Sequence, residues 1–397
     1  MQRTVADIVD MVRAGGDDAV RRLTLRLDGA DLATSRVAAK ASARALASLE
    51  PGVREAIELL VENLRTVASE MVPAQTRVTL PQGQTVSTRH VPVQRVGVYV
   101  PGGLAAYAST AAMAVVPAQV AGVPEICVCS APDPDGLPRP AVLATCELLG
   151  VREVYAVGGA QAVAAMALGT EQIRPVDVLV GPGNAYVEDA KRRLFGEVGI
   201  ESLAGPSELI VLADETAPPE LVAADLIAQV EHGPGAQSVL VTTDTELLDA
   251  VAGLVSECDQ IALAEADSWD TAIDFVNAYA PEHLQLMVAD PEAALERVVH
   301  AGAIFLGEWS GTAFGDYVAG SNHILPTGGH VRFSQGLSPA VFLRAQEVIE
   351  VPATAIDSLA EPLQALAEAE GLPNHARSAR VRAERLRDAT TQKGQRS

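Results

Sequence analysis

Cysteine is scarce in this sequence: there are four in 397 residues, Cys127, Cys129, Cys146 and Cys258. That is too few for a disulfide scaffold, and no C-x-x-C spacing occurs, so neither a stapled secreted fold nor a thiolate metal motif is read here. Cys127 and Cys129 lie two apart in an apolar, strand-like run and share one face, which suits burial. Aromatic residues make up only 4% of the chain. Basic residues are also outnumbered: 29 Lys and Arg stand against 51 Asp and Glu, a net charge of −22. Such a surface repels phosphate backbones and anionic lipid, which argues against nucleic-acid or membrane partners. No uninterrupted apolar run reaches the roughly 18 residues of a membrane span. The opening MQRTVADIVDMVRAGGDDAV lacks the apolar core and cleavage site of a signal peptide. The expectation is a cytoplasmic protein.

Apolar residues are plentiful at 48%, enough for large cores, and at roughly 150 residues per domain the length suggests two or three domains. The first 70 residues read as helical, with apolar positions such as Val53, Ile57, Leu60, Val61 and Leu64 at helical spacing. RVTLPQGQTVSTRHVPV changes character: two β-rich stretches flank Pro81-Gln82-Gly83-Gln84, a hairpin pattern. From about residue 95 the pattern becomes strand, short Gly/Pro loop, helix, repeated through RVGVYVPGG, EICVCS, REVYAVGG and VDVLVGPGN. A second series starts at ELIVLADE and runs through SVLVTT, LQLMV and AIFL. Apolar strands alternating with helices predict an α/β fold with mostly parallel sheets covered on both faces, and two series predict two such domains. An acidic, Ala-rich helix near 356–371 and a tail carrying Arg377, Arg380, Arg382, Arg385 and Arg387 follow, read as a solvated helix or an oligomer contact.

Several groups of residues have chemical potential. Gly102-Gly103, Gly158-Gly159 and Gly181-Pro182-Gly183-Asn184 each follow an apolar strand. Loops at strand ends and helix starts hold anions in open α/β sheets, but G-x-G-x-x-G is absent, and each loop alone also reads as a plain βα turn. Gln229 and His232 lie three apart on one helical face ended by Gly233-Pro234-Gly235. They are half of a metal site, or a His favoured by the helix dipole. Glu282-His283 follows Pro281 where a helix gives way to a strand; the pair offers two bases near neutral pH, although adjacent side chains in extended structure point opposite ways. The Gly-rich stretch GDYVAGSNHILPTGG (315–329) holds Asp316, Asn322 and His323, and its lack of periodicity suits a functional loop. Asp316 there is a metal ligand or a turn former. Glu370 and His375 flank EGLPNH at what reads as a helix end.

Taken together, RVGVYVPGG, GGAQAVAA, VGPGNAYV, AGPSE, DLIAQVEHGP, APEHL, GDYVAGSNHILPT and EGLPNH, in this order from about residue 95 to His375, resemble the L-histidinol dehydrogenase family. The resemblance implies zinc-dependent, NAD-linked oxidation of L-histidinol through L-histidinal to L-histidine, the last steps of histidine biosynthesis. It implies two incomplete Rossmann-like domains, with helical N-terminal and C-terminal segments, in a homodimer. Residues 1–98 would hold the N-terminal helical segment and part of the first α/β domain, and 99–207 the second α/β domain, on the NAD side. Residues 208–337 would complete the first domain with the metal and catalytic residues, and 338–397 would serve the dimer and the partner's active site. Gln229, His232, Asp316 and His375 then match the zinc ligands, the last supplied across the dimer, and Glu282 and His283 match the catalytic pair. Ser207, His323 and Glu370 match substrate contacts, joined by Gln229, His232, His283, Asp316 and His375. Tyr99, Gln161 and Asn184 match the positions that contact NAD. The alternative is a related zinc and NAD dehydrogenase acting on another small polar alcohol, such as a sulfonated diol.

Overall fold

The structure is a computed structural model that describes residues 2–102, 107–233 and 235–394; Gly103 of the first glycine loop and Pro234 of the helix stop lie outside the described residues. Three helices open the chain: α1 (Gln2–Asp28), α2 (Ala39–Ala47) and α3 (Pro51–Glu70). Helix α1 kinks at Gly16, whose φ is 48°. Ile57, Leu60, Val61 and Leu64 of α3 are buried as their spacing predicts. Val53, read in the same stripe, is exposed because it sits in the helix's first turn, short of that buried stripe. The expected hairpin follows as antiparallel β1 (Thr76–Thr79) and β2 (Thr85–Pro92).

The first α/β series comprises β3 (Arg95–Val100), α4 (Ala108–Val120), β4 (Glu125–Ser130), α5 (Pro140–Leu148) and β5 (Glu153–Ala156). It continues through α6 (Gly159–Leu168), β6 (Val178–Val180), α7 (Ala185–Leu194) and β7 (Gly199–Ile200). The second series comprises β8 (Glu208–Ala213), α8 (Pro219–Val230), β9 (Gln237–Thr242), α9 (Thr245–Val255) and β10 (Ile261–Glu265). It closes with α10 (Trp269–Tyr279), β11 (His283–Met287), α11 (Pro291–Leu295), β12 (Ala303–Leu306) and α12 (Thr312–Asp316). The chain ends in β13 (Leu343–Glu350), α13 (Ile356–Ala369) and α14 (Pro373–Gly394).

The two large sheets are parallel and share one topology, β5-β4-β3-β6-β7 and β10-β9-β8-β11-β12. In each, the first strand of the series lies at the centre and the order reverses beside it, the order of a Rossmann sheet without its sixth strand. This is the two-sheet α/β architecture expected from the sequence. Strand β3 is buried at all six positions and β8 likewise, which is why these strands read as unbroken apolar runs rather than alternating ones. The helices between them are rich in Ala, and α4 and α6 are apolar almost all round because other elements cover them. Cys127 and Cys129 are buried free thiols, as expected, and Cys146 is buried as well.

By compactness the chain divides into two units: residues 1–72 with 92–342, and residues 73–91 with 343–397. The first unit contains both parallel sheets. The second is built on the three-stranded sheet β1-β2-β13 and on α13 packed against α14, where Arg380 bonds Gln364 and Glu368. Among the described residues, no helix is long and apolar enough to cross a membrane.

An ion network closes the amino edge of the first sheet. Arg95, at the start of β3, is buried and divides its guanidinium between Glu125 (2.9 Å) and Glu153 (2.6 Å). Its hydrogen bonds hold the Glu153 carboxyl down to about 2. Because the folded value lies below the ordinary one of 4.5, the stability this group contributes is complete above that pH and lost as the pH falls towards 2. Glu153→Gln is expected to cost about 3 kcal/mol at neutral pH, since it leaves a buried cation short of a partner. It should also flatten the fall in stability across that acid window, which urea titrations at several pH values would check.

Candidate active site

The sequence-selected residues of the first unit fall into two groups, one at each of two facing sheet edges. The carboxyl edge of the first sheet meets the amino edge of the second. Hydrogen bonds across this junction run from Ala204 N–H to Glu188 (2.9 Å) and from Asn322 Nδ2 to the Met113 carbonyl (2.7 Å). A third joins Thr110 Oγ1 and His323 Nε2 at 3.0 Å.

At the carboxyl edge, Tyr99 is the fifth residue of β3, Gln161 lies in the first turn of α6, and Asn184 caps α7. The Asn184 side chain accepts from the amides of Tyr186 (3.0 Å) and Val187 (3.2 Å), as its residue type favours. The Tyr99 hydroxyl accepts from the Gly159 amide at 3.2 Å and is pushed up to about 12 by burial. Gln161 donates Nε2 to Asp28 (3.1 Å), which leaves its buried Oε1 without a partner. Gly181 is required where it stands: its φ is +121°, and a Cβ there would lie 2.0 Å from the Tyr99 carbonyl oxygen. Ligands of open α/β sheets bind at this carboxyl edge, beside the point where strand order reverses.

At the amino edge of the second sheet, Ser207 immediately precedes β8 and Glu282 immediately precedes β11. These neighbouring parallel strands, with His283 opposite Leu209, bring the two segments together. Glu282 follows Ala280, the one non-glycine residue with positive φ (59°) among the described residues. That left-handed turn and Pro281 set the course of the chain before the strand begins. Glu282 and His283 are therefore not alternating strand neighbours; both are buried, and Nδ1 of the imidazole lies 3.5 Å from the Glu282 carboxylate.

Hydrogen bonds orient the pair. Glu282 Oε2 accepts from the Ser207 hydroxyl (2.6 Å) and the Glu208 amide (3.0 Å). His283 Nδ1 lies 3.2 Å from the Glu208 carbonyl. A carbonyl only accepts, so Nδ1 carries the proton and Nε2 offers its lone pair. Burial lowers the pKa of His283, which favours this neutral form, and raises Glu282 to about 7. The site thus holds a neutral imidazole with an available Nε2 lone pair beside a carboxyl raised to about 7.

Beside them lie Gln229, His232 and Asp316. Gln229 Nε2 donates to Ser207 Oγ (2.8 Å), turning its buried, unpartnered Oε1 away. His232, just past the end of α8, turns Nδ1 to the Gln229 carbonyl (3.1 Å) and Nε2 towards Asp316, 3.8 Å away. Asp316 ends α12, and its other oxygen lies 3.9 Å from His283 Nε2. Its carbonyl accepts from His323 Nδ1 (3.1 Å), and burial pushes His323 down to about 4. His323 thus has both ring nitrogens engaged, with Thr110 and with Asp316. Among the described residues no group of three or more His, Cys, Asp and Glu side chains is gathered for a metal; the set here is two such residues and an amide oxygen. An amide oxygen left bare in the interior is nonetheless costly unless it has a ligand, and one imidazole and two oxygen donors suit a divalent metal.

Glu370 and His375 belong to the second unit. Glu370 caps the C-terminus of α13, His375 lies in the first turn of α14, and both are exposed. Residue chemistry alone missed Glu208, whose contribution to the pair runs through its main chain, and Asp28, which holds Gln161 across 133 residues of sequence. Neither leaves a local signal.

Two Rossmann-type sheets with a buried Glu–His pair at their junction have the make-up of an α/β oxidoreductase. The histidinol dehydrogenase family profile matches residues 1–383. A histidinol dehydrogenase of Thermobifida fusca is 48% identical over 389 residues, covering 94% of this chain and 89% of that protein. One from Methanothermobacter thermautotrophicus is 45% identical over 404 residues, covering 97% and 93%. The crystal structure of histidinol dehydrogenase from Elizabethkingia anophelis superposes with a TM-score of 0.93 at 34% identity, covering 97% of this chain and 93% of that one. The chain belongs to the histidinol dehydrogenase family.

Proposed function

We propose that the chain oxidises L-histidinol to L-histidinal and then to L-histidine, with two NAD consumed, and so closes histidine biosynthesis. The observation that carries this reading is the buried Glu282–His283 pair, tied through Ser207 to Gln229 and set beside His232 and Asp316. Gln229, His232 and Asp316 would hold a zinc ion, with His375 of a second copy of the chain as the fourth ligand. When bound, the ion supplies a template for the imidazole and amino nitrogens of the substrate. Ser207, His323 and Glu370 are assigned to the substrate, and Tyr99, Gln161 and Asn184 to the dinucleotide. The need for a second copy makes the working unit a homodimer.

His283 Nε2 takes the hydroxyl proton while hydride passes from the carbinol carbon to NAD, giving the aldehyde and NADH. Glu282 then takes a proton from water as the water oxygen adds to the aldehyde carbon, and His283 returns its proton to the aldehyde oxygen, giving the hydrate. Hydride would then leave the hydrate carbon for a second NAD while the neutral His283 takes a hydroxyl proton, giving the carboxylic acid, which ionises to the carboxylate with loss of its proton to solvent. Burial around the pair keeps bulk water from the reactive aldehyde between the steps.

The test is NADH formed per histidinol by the zinc-loaded protein. Two are expected, none after chelation, with activity restored by zinc. Silence with histidinol and turnover of another polar alcohol, such as a sulfonated diol, would reassign the substrate and leave the acid–base pair in place.

A further inference from the structure

Helix α7 carries a lysine, Lys191, with no exposed surface. Its ammonium meets the Gly181 carbonyl at 3.1 Å, Glu201 at 3.0 Å and Glu188 at 3.4 Å, so each of its three protons has an acceptor. The Glu201 oxygen that meets the ammonium also accepts from the Gly181 amide at 2.7 Å. Both polar main-chain groups of Gly181 are therefore held by one buried ion pair. Glu188 extends the cluster: its other oxygen takes the Ala204 amide, on the segment that leads to Ser207. Burial alone would lower the pKa of Lys191, but the two carboxylates outweigh it and keep the ammonium charged.

A buried ion cluster is a poor source of stability, since apolar residues of similar volume often do as well or better. What this cluster supplies is a fixed geometry at one glycine. Gly181 is pressed onto the Tyr99 backbone in a conformation that leaves no room for a Cβ, and three residues later Asn184 opens α7. Without the clamp, Pro182 alone would restrain the backbone between two freely turning glycines.

We propose that Lys191 and Glu201 are positioning residues for the dinucleotide, locking Gly181 so that Asn184 is preset for the cofactor. The proposal rests on the reading of residues 181–184 as part of the dinucleotide site. Neither residue touches the reacting atoms; the clamp acts through the loop.

The experiment uses the full-length, zinc-loaded protein and measures NADH affinity by fluorescence titration, alongside KM for NAD and for histidinol. Glu201→Gln is expected to weaken both dinucleotide constants about 10-fold, the effect of one lost charge-assisted hydrogen bond. KM for histidinol and bound zinc should not change. Glu201→Asp keeps the charge on a shorter arm and should lose only about threefold. A folded Glu201→Gln protein with wild-type dinucleotide affinity overturns the proposal. If that variant does not fold, Glu201→Asp decides, and unchanged affinity there overturns it equally. Asn184→Ala separates the two readings. If it leaves dinucleotide affinity untouched in an enzyme that uses NAD, the assignment of the loop fails. If it weakens binding while the Glu201 variants do not, the positioning role alone fails.

Discussion

Glu282→Gln is expected to slow oxidation of histidinal by about 10³-fold while slowing oxidation of histidinol less than about 10-fold, the range removed with a general base. The asymmetry follows from where protons must go. The alcohol step needs a base for one hydroxyl proton, and His283 offers Nε2 for it because Nδ1 is turned to the Glu208 carbonyl. The aldehyde step needs a water deprotonated as well, and Glu282, raised to about 7 by burial, is the second group able to do so. The substitution is a clean probe. A glutamine carbonyl can still accept from the Ser207 hydroxyl and the Glu208 amide, which now bond Oε2, so the packing survives while the base is lost. Separate assays starting from histidinol and from histidinal, with an aldehyde trap and NADH counted per substrate, check it. The variant should yield close to one NADH per histidinol, with trapped aldehyde. Equal slowing of both steps would remove the division of labour between the two residues.

The fold was legible wherever burial had to follow composition. Strands covered on both faces must be apolar throughout, so RVGVYV and ELIVLA announced β3 and β8, and the glycine and proline loops between them marked the turns. Strand β7 left no such trace, because two residues carry no pattern. Nor does a helical stripe say where the core ends, as exposed Val53 shows. The site was legible as residue types but not as an arrangement. Neighbours on an extended strand face opposite ways, which counted against joint action of Glu282 and His283; the left-handed turn at Ala280 and the placement of Glu282 before the strand reconcile them. The Gln229–Ser207–Glu282 chain of hydrogen bonds joins three segments far apart in sequence. The rule for open sheets also pointed to one edge only. It suits Tyr99, Gln161 and Asn184, at the carboxyl ends of their strands. The acid–base pair lies at the amino ends of β8 and β11, a placement that follows from how the two sheets face each other.

Asp316→Asn is expected to lower zinc affinity and turnover together, each by at least about 100-fold, a loss at the upper end of that seen when only an outer-shell partner is removed. Asp316 lies between two imidazoles, 3.8 Å from His232 Nε2 and 3.9 Å from His283 Nε2. Its carboxylate is the one negative charge of the proposed donor set, the others being an amide oxygen and imidazoles, and charge is what Asn removes. Shape is retained, and so is the main-chain hydrogen bond from His323, which holds the Asp316 carbonyl rather than its side chain. The loop should therefore stay in place, and the loss can be read as metal binding rather than unfolding. Zinc content after gel filtration and a competitive chelator titration give the affinity without reference to activity. Excess zinc should then restore part of the turnover, because occupancy and not the acid–base pair has been damaged. His232→Asn should behave alike. A variant that keeps stoichiometric zinc through gel filtration, or a wild-type protein fully active without metal, would strike Asp316 from the ligands and leave it as a carboxylate paired with His232 and His283.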